Sequence, residues 1–207
     1  MVSASKKITI VGGSGALGAG LAKRWARKGH QIIIGSRDEK RASEAASRLN
    51  NEAGTTSIVG MENKVASEHG EIVVLTVPFS NHMSTLSLIA PALDNKILID
   101  VTVPLVPPKV RTVHIPEGGS CAKAAQEFLG KAVRVVSAFQ SVAATHLDDL
   151  EHEIDCDVLV CGNDPEAREV VVELASDADM KAWHAGVIAN SIVACLLYTS
   201  DAADDLL

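Results

Sequence analysis

The stretch ITIVGGSGALGAGLAKRWARKGHQIIIGSR, residues 8–37, decides the fold. It reads as an apolar strand at 8–11, a glycine turn, a helix at 16–28 and a second apolar strand at 31–36. Directly after the first strand, Gly13, Ser14, Gly15, Ala16, Leu17 and Gly18 spell GxGxxG. In that pattern the first glycine permits the tight turn and the second lets a pyrophosphate approach the backbone. The third lets the helix pack closely on the strand. The phosphates meet unpaired amides at the positive end of the helix. Glycine turns are common, but the flanking strand, helix and second strand supply the context the motif needs. With Gly12, the run marks a dinucleotide site.

The end of the second strand selects the dinucleotide. A site built for NAD places Asp or Glu there, to accept hydrogen bonds from the ribose 2′-hydroxyl. This chain has Ser36 and Arg37, with Lys40 and Arg41 a turn further on. A carboxylate would repel a 2′-phosphate, whereas a hydroxyl followed by a guanidinium fork binds it. Asp38 and Glu39 support the plainer alternative of a solvated helix start, and NADP is the reading favoured here.

Composition bounds the rest. With 207 residues, 47% of them hydrophobic, the chain can fill one full core, or one core and a small lobe. The net charge of −7, without a basic stripe, argues against nucleic acid as a partner. No apolar run approaches a membrane span, and no signal-peptide core precedes the first strand, so a cytoplasmic setting away from the membrane is expected. Four cysteines, at 121, 156, 161 and 195, lack metal-ligand spacing, so no metal site and reduced thiols are expected. The last thirteen residues, CLLYTSDAADDLL, resemble the translation of a transposase sequencing adapter. They are expected to be foreign, with the natural chain running on past Ala194.

Further strands are expected at 57–60, 71–77, 96–101, 133–138, 155–161 and 180–184. Helices are expected at 38–50, 62–69, 83–93 and 122–129, from residue 142, from residue 165 and from residue 187. This alternation predicts an α/β fold, a Rossmann doubly wound parallel sheet with a smaller C-terminal α/β lobe. The expected division is a dinucleotide-binding unit over 1–110 and a lobe over 111–194. Ligands of such sheets lie outside the carboxyl ends of the strands, which selects 12–18, 36–37, 76–82 and 102–104 as the lining.

The blocks GGSGALGAGLAKRWARKGHQIIIGSR, VLTVPFSNH (74–82), VRVVSAFQSVAA (133–144), DVLVCGNDPEA (157–167) and AGVIANS (185–191) resemble the NADPH-dependent reductases of the deazaflavin coenzyme F420. The resemblance covers residues 8–194. It implies hydride transfer between NADP(H) and that deazaflavin, its second substrate, by a homodimer whose partners are small redox coenzymes. NADP would lie between the glycine turn and Ser36 and Arg37, with Arg41 as a basic partner. The nicotinamide would lie near Thr76, Val77, Pro78 and Phe79, and the deazaflavin against the stretch 138–143, with Ala138, Gln140, Val142 and Ala143 as its contacts. Some members have Trp in place of Phe79 and His in place of Gln140.

Hydride transfer between two coenzymes needs proximity rather than a protein nucleophile or base, and the sequence offers no matched pair for either role. His82 touches a nicotinamide amide or phosphate, or is a satisfied polar residue at a helix start. Gln140 hydrogen-bonds a flavin carbonyl, or caps a helix over 142–150. The rival functions are an NADP-dependent dehydrogenase or imine reductase of a small metabolite, and a redox sensor that binds NADP without turnover.

Overall fold

A computed structural model describes residues 4–106, 114–151 and 154–195. The expected tail from residue 196 onward, and part of the expected boundary loop, lie outside them. Strand β1 (Lys7–Val11) leads through the glycine turn into α1 (Ala16–Arg27), then β2 (Gln31–Ser36), α2 (Glu39–Ala53), β3 (Ile58–Glu62), α3 (Asn63–His69) and β4 (Ile72–Leu75). A short 3₁₀ turn precedes α4 (His82–Ile89), followed by β5 (Ile97–Asp100), α5 (Cys121–Leu129) and β6 (Arg134–Ser137). The chain continues through α6 (Ala144–Asp148), β7 (Asp157–Gly162), α7 (Pro165–Asp177) and β8 (Lys181–His184).

The strands form one sheet in the order β3-β2-β1-β4-β5-β6-β7-β8. Strands β1 to β6 run parallel, β7 is antiparallel to β6, and β8 is parallel to β7. From β1 the chain winds outward through β2 and β3, then returns to lay β4 on the other side of β1. That reversal opens a crevice at the carboxyl ends of β1 and β4. Alternation along the strands sends side chains into two cores. Ile8, Ile10, Ile72 and Val74 pack with α1, α2 and α7 on one face. Val11, Val73 and Leu75 pack with α4 and α5 on the other.

The first helix also fastens the second half of the chain. Trp25 is fully buried, donates its indole N–H to the Leu174 carbonyl at 2.7 Å, and meets Phe139 edge-on at 5.9 Å. Beside it Arg24, 2% exposed, donates to the carbonyls of Leu147 and Asp149. A Cβ on Gly20 would overlap Leu147, so α6 lies directly on the backbone of α1.

Several boundaries differ from the sequence reading for local reasons. Helix α2 runs a turn further, to Ala53, and stops at Gly54 in the left-handed region. The expected 83–93 helix starts at His82 and ends at Ile89, because Pro91 turns the chain into a 3₁₀ segment at Ala90–Ala92. The expected strand through Val77 stops at Leu75, just before Pro78. No helix opens at residues 139–142: Phe139 sits at φ 68°, and only Ala144–Asp148 coil.

Trp25→Phe keeps a buried ring but removes the indole donor, leaving the Leu174 carbonyl its bond from the Ala178 N–H. It should lower stability by about 0.5–1.5 kcal/mol in urea unfolding, with the slope unchanged. An unchanged midpoint would show that this bond does not tie α1 to α7.

Candidate functional site

A groove of about 940 Å³ runs along the carboxyl ends of the strands. Its first wall is the glycine turn. Gly12 takes φ +77° and gives its N–H to the Gly35 carbonyl at 3.0 Å, joining the turn to β2. The left-handed position is therefore Gly12, not the Gly13 that the motif suggests. At Gly13 a Cβ would stand 2.8 Å from the Ile10 carbonyl oxygen, and at Gly18 it would stand 2.8 Å from the Gly13 Cα. The start of α1 is thus pressed onto β1. At Gly15 a Cβ would have only one neighbour, at 3.5 Å, so this glycine faces open space of the kind a pyrophosphate needs. Helix α1 has no side-chain cap and no acid in its first turn, whereas Asp38 caps α2 and Glu62 caps α3. Its leading N–H groups are left for an anion.

The second wall is the end of β2. Ser36, Arg37 and Arg41 all line the groove. Asp38, also in the lining, accepts from the backbone N–H groups of Lys40 and Arg41, so its charge is engaged by the helix start. Lys40 pairs with Glu44, while neither Arg37 nor Arg41 forms an ion pair among the described residues. Two guanidinium groups with no acidic partner flank this end of the groove.

The third wall is set by β4, β5 and the segment after β6. Thr76 donates its hydroxyl hydrogen to the Val11 carbonyl at 2.9 Å, and Val77, Pro78 and Phe79 follow it along the groove. The Phe79 ring rests against His114, their centroids 5.8 Å apart. Beneath lies Asp100, fully buried at the end of β5. Its carboxylate accepts from His82 Nε2 at 2.6 Å and from the Thr102 N–H at 2.9 Å. Its carbonyl accepts from Gln140 Nε2 at 2.8 Å. One residue thereby anchors α4, the loop after β5 and the loop after β6.

These contacts correct the sequence reading at four positions and one role. His82 is 2% exposed and bonded to Asp100, so it sits below the groove rather than in its lining. Ala138 is fully buried in the core. Gly13 packs under the turn, and Ala144 rather than Ala143 reaches the groove. Gln140 does line it, but its amide nitrogen is engaged by the Asp100 carbonyl and by the Ser137 hydroxyl at 2.8 Å. Only its oxygen remains, and that oxygen has no partner. Gln140 is an acceptor here, so it cannot donate to a flavin carbonyl, and it caps no helix. The remaining expected residues, Gly12, Ser14, Gly15, Ala16, Leu17, Gly18, Ser36, Arg37, Arg41, Thr76, Val77, Pro78, Phe79 and Val142, are brought together along the groove.

Sequence reasoning missed Asn63, Ser84, Thr85, Val101, Leu105, Val106 and Ala144, which also line it, whereas Phe139 comes from the expected 138–143 stretch. Asn63 lies just beyond β3, and a strand-end rule applied to the 57–60 strand stops short of it. The unpaired Oδ1 of Asn63, Oγ1 of Thr102 and Oε1 of Gln140 all belong to this lining. Buried polar atoms are rarely left without a partner, so these three fit a groove that receives a polar ligand. Among the described residues no three His, Cys, Asp or Glu side chains converge to hold a metal. Burial, and then the charge of Asp100, pushes the Cys121 thiol well above its usual range, and the same causes lift Cys195 to about 11.

Asp100→Ala leaves the His82 ring and the Thr102 N–H buried without an acceptor. It should cost about 3 kcal/mol or more in chemical denaturation. A loss below about 1 kcal/mol would mean that the Asp100 carboxylate does not hold α4 and the loop after β5 together.

Residues 7–104 match the family described as NADP oxidoreductase, coenzyme F420-dependent. The F420-dependent NADP reductase of Methanocaldococcus jannaschii is 42% identical over 180 residues, covering 84% of this chain and 80% of that protein. The F420-dependent NADP reductase of Methanothermobacter thermautotrophicus is 38% identical over 192 residues, covering 89% of this chain and 83% of that one. Among solved structures, a putative F420-dependent NADP reductase from Arthrobacter sp. FB24 superposes with a TM-score of 0.76 at 26% identity. It covers 93% of this chain and 90% of that one.

Proposed function

The chain belongs to the family of F420-dependent NADP reductases, and from that premise we propose how its groove is shared between two coenzymes. It is an oxidoreductase that transfers a hydride between NADP(H) and the deazaflavin coenzyme F420. The chemistry, movement of a hydride between nicotinamide C4 and deazaflavin C5, belongs to the coenzymes. The chain holds and orients them.

At one end Ser36, Arg37 and Arg41 take the 2′-phosphate. A hydroxyl and two unpaired guanidinium groups match a dianion, and no carboxylate is free to oppose it. The open face of Gly15 and the uncapped start of α1 take the pyrophosphate. At the other end Thr76, Val77, Pro78 and Phe79 form the wall for the nicotinamide. The deazaflavin lies over it against Val142 and Gln140, whose free oxygen accepts a ring N–H. The apolar side chains here keep water from the reacting carbons. No acid or base of the protein is needed, in keeping with a His82 held beneath the groove by Asp100.

The observation that carries this division is the pair Arg37 and Arg41 standing unpaired at the end of β2. The rival dehydrogenase, imine reductase and redox-sensor readings explain the same pair but not the similarity along most of the chain. The division also retains two units, 1–110 for the dinucleotide and 111–194 for the deazaflavin, although one sheet spans both. A homodimer and a cytoplasmic setting complete the reading. The exposed Trp183 on edge strand β8, and Val187 just after it, supply apolar surface for the dimer contact. Among the described residues no helix is long and apolar enough to cross a membrane.

Arg37→Ala should weaken NADP binding by about 2–3 kcal/mol, as expected for a charge-assisted contact, and leave NAD binding almost unchanged. Calorimetric titration of both dinucleotides checks this. Equal losses for the two would refute the assignment of this end to the 2′-phosphate.

A further inference from the structure

We propose that Asn63 positions the adenosine half of the dinucleotide, its amide oxygen accepting the hydrogen of the ribose 3′-hydroxyl. The proposal rests on the reading of the groove as the NADP(H) site. Asn63 is 3% exposed and lines the groove, yet its Oδ1 has no hydrogen-bond partner. A buried acceptor left unpaired is unfavourable, and a bound hydroxyl relieves that cost.

The surroundings hold the residue in place. Asn63 is the first residue of α3, a helix capped by Glu62, and its carbonyl accepts the Ser67 hydroxyl at 2.8 Å. Strand β2 makes room for the amide. It runs Ile32, Ile33, Ile34 and then Gly35, a residue that weakens a strand unless something must approach it. A Cβ at Gly35 would stand 2.8 Å from Asn63 Oδ1. The Gly35 carbonyl is bonded to the Gly12 N–H, so the amide lies beside the strand end that carries both the glycine turn and Ser36.

Chemistry then selects the group. A 2′-phosphate offers only acceptors, which suit the guanidinium groups of Arg37 and Arg41 but not an amide oxygen. The hydroxyl on the adjacent ring carbon is a donor, and it suits that oxygen. A neutral amide supplies the acceptor without the charge that an Asp or Glu would set against the phosphate.

The test is calorimetric binding of adenosine 2′,5′-bisphosphate and of its 3′-deoxy analogue to the full chain and to Asn63→Ala. The full chain should bind the bisphosphate about tenfold more tightly than the analogue. Asn63→Ala should erase that difference by weakening the bisphosphate alone. Equal binding of the two ligands to the full chain would overturn the proposal, and that comparison needs no variant. Equal weakening of both by Asn63→Ala would also overturn it, because the side chain would then act through packing. Failure of the bisphosphate to bind the full chain at all would instead remove the underlying reading of the groove.

Discussion

Backbone must touch backbone where β1, α1 and β4 meet, and the site depends on that contact. A Cβ at Gly18 would come within 2.8 Å of the Gly13 Cα and 2.9 Å of the Thr76 hydroxyl. With no side chain there, the first turn of α1 settles onto the strands, and its unpaired amides point along the crevice that the reversal of strand order opens. The same close seat lets α1 carry Arg24 and Trp25 into the second half of the chain, where Leu147, Asp149 and Leu174 accept their hydrogens. The helix whose start lines the groove without a side-chain cap is also the element that joins the two halves of the fold.

A second constraint sits opposite. Asp100 closes the apolar strand β5 with a buried carboxylate, and a buried charge is tolerated only when hydrogen bonds satisfy it. His82 and the Thr102 N–H approach the carboxylate from two segments, and the Gln140 amide bonds the Asp100 carbonyl from a third. This fixes the floor under the end of the groove assigned to the reacting rings. The same carboxylate engages Nε2 of the His82 imidazole. Proximity and orientation are then what the protein contributes to a transfer between two coenzymes.

The sheet was legible because long apolar strands alternating with helices leave few other folds, and β2 begins and ends where the 31–36 pattern places it. The first two walls were legible because GxGxxG and the Ser36–Arg37 strand end are local signals tied to local geometry. What escaped depends on distant partners. Nothing near residue 100 shows that its carboxylate will meet His82, 18 residues away, or that its carbonyl will meet Gln140, 40 residues away. The helix expected from residue 142 starts only at Ala144, after Phe139 enters the left-handed region with its ring against Trp25. Asn63 was hidden by a strand whose end was read two residues short, at Gly60 instead of Glu62. A glycine inside an isoleucine strand was the one trace of it.

The most direct measurement is the visible absorbance of oxidised deazaflavin when NADPH is added with a small, substoichiometric amount of this protein. A groove that brings the two rings together predicts bleaching that needs the protein and NADPH, and that is much slower with NADH at the same concentration. Absorbance that stays unchanged while the protein demonstrably binds NADPH would contradict the account.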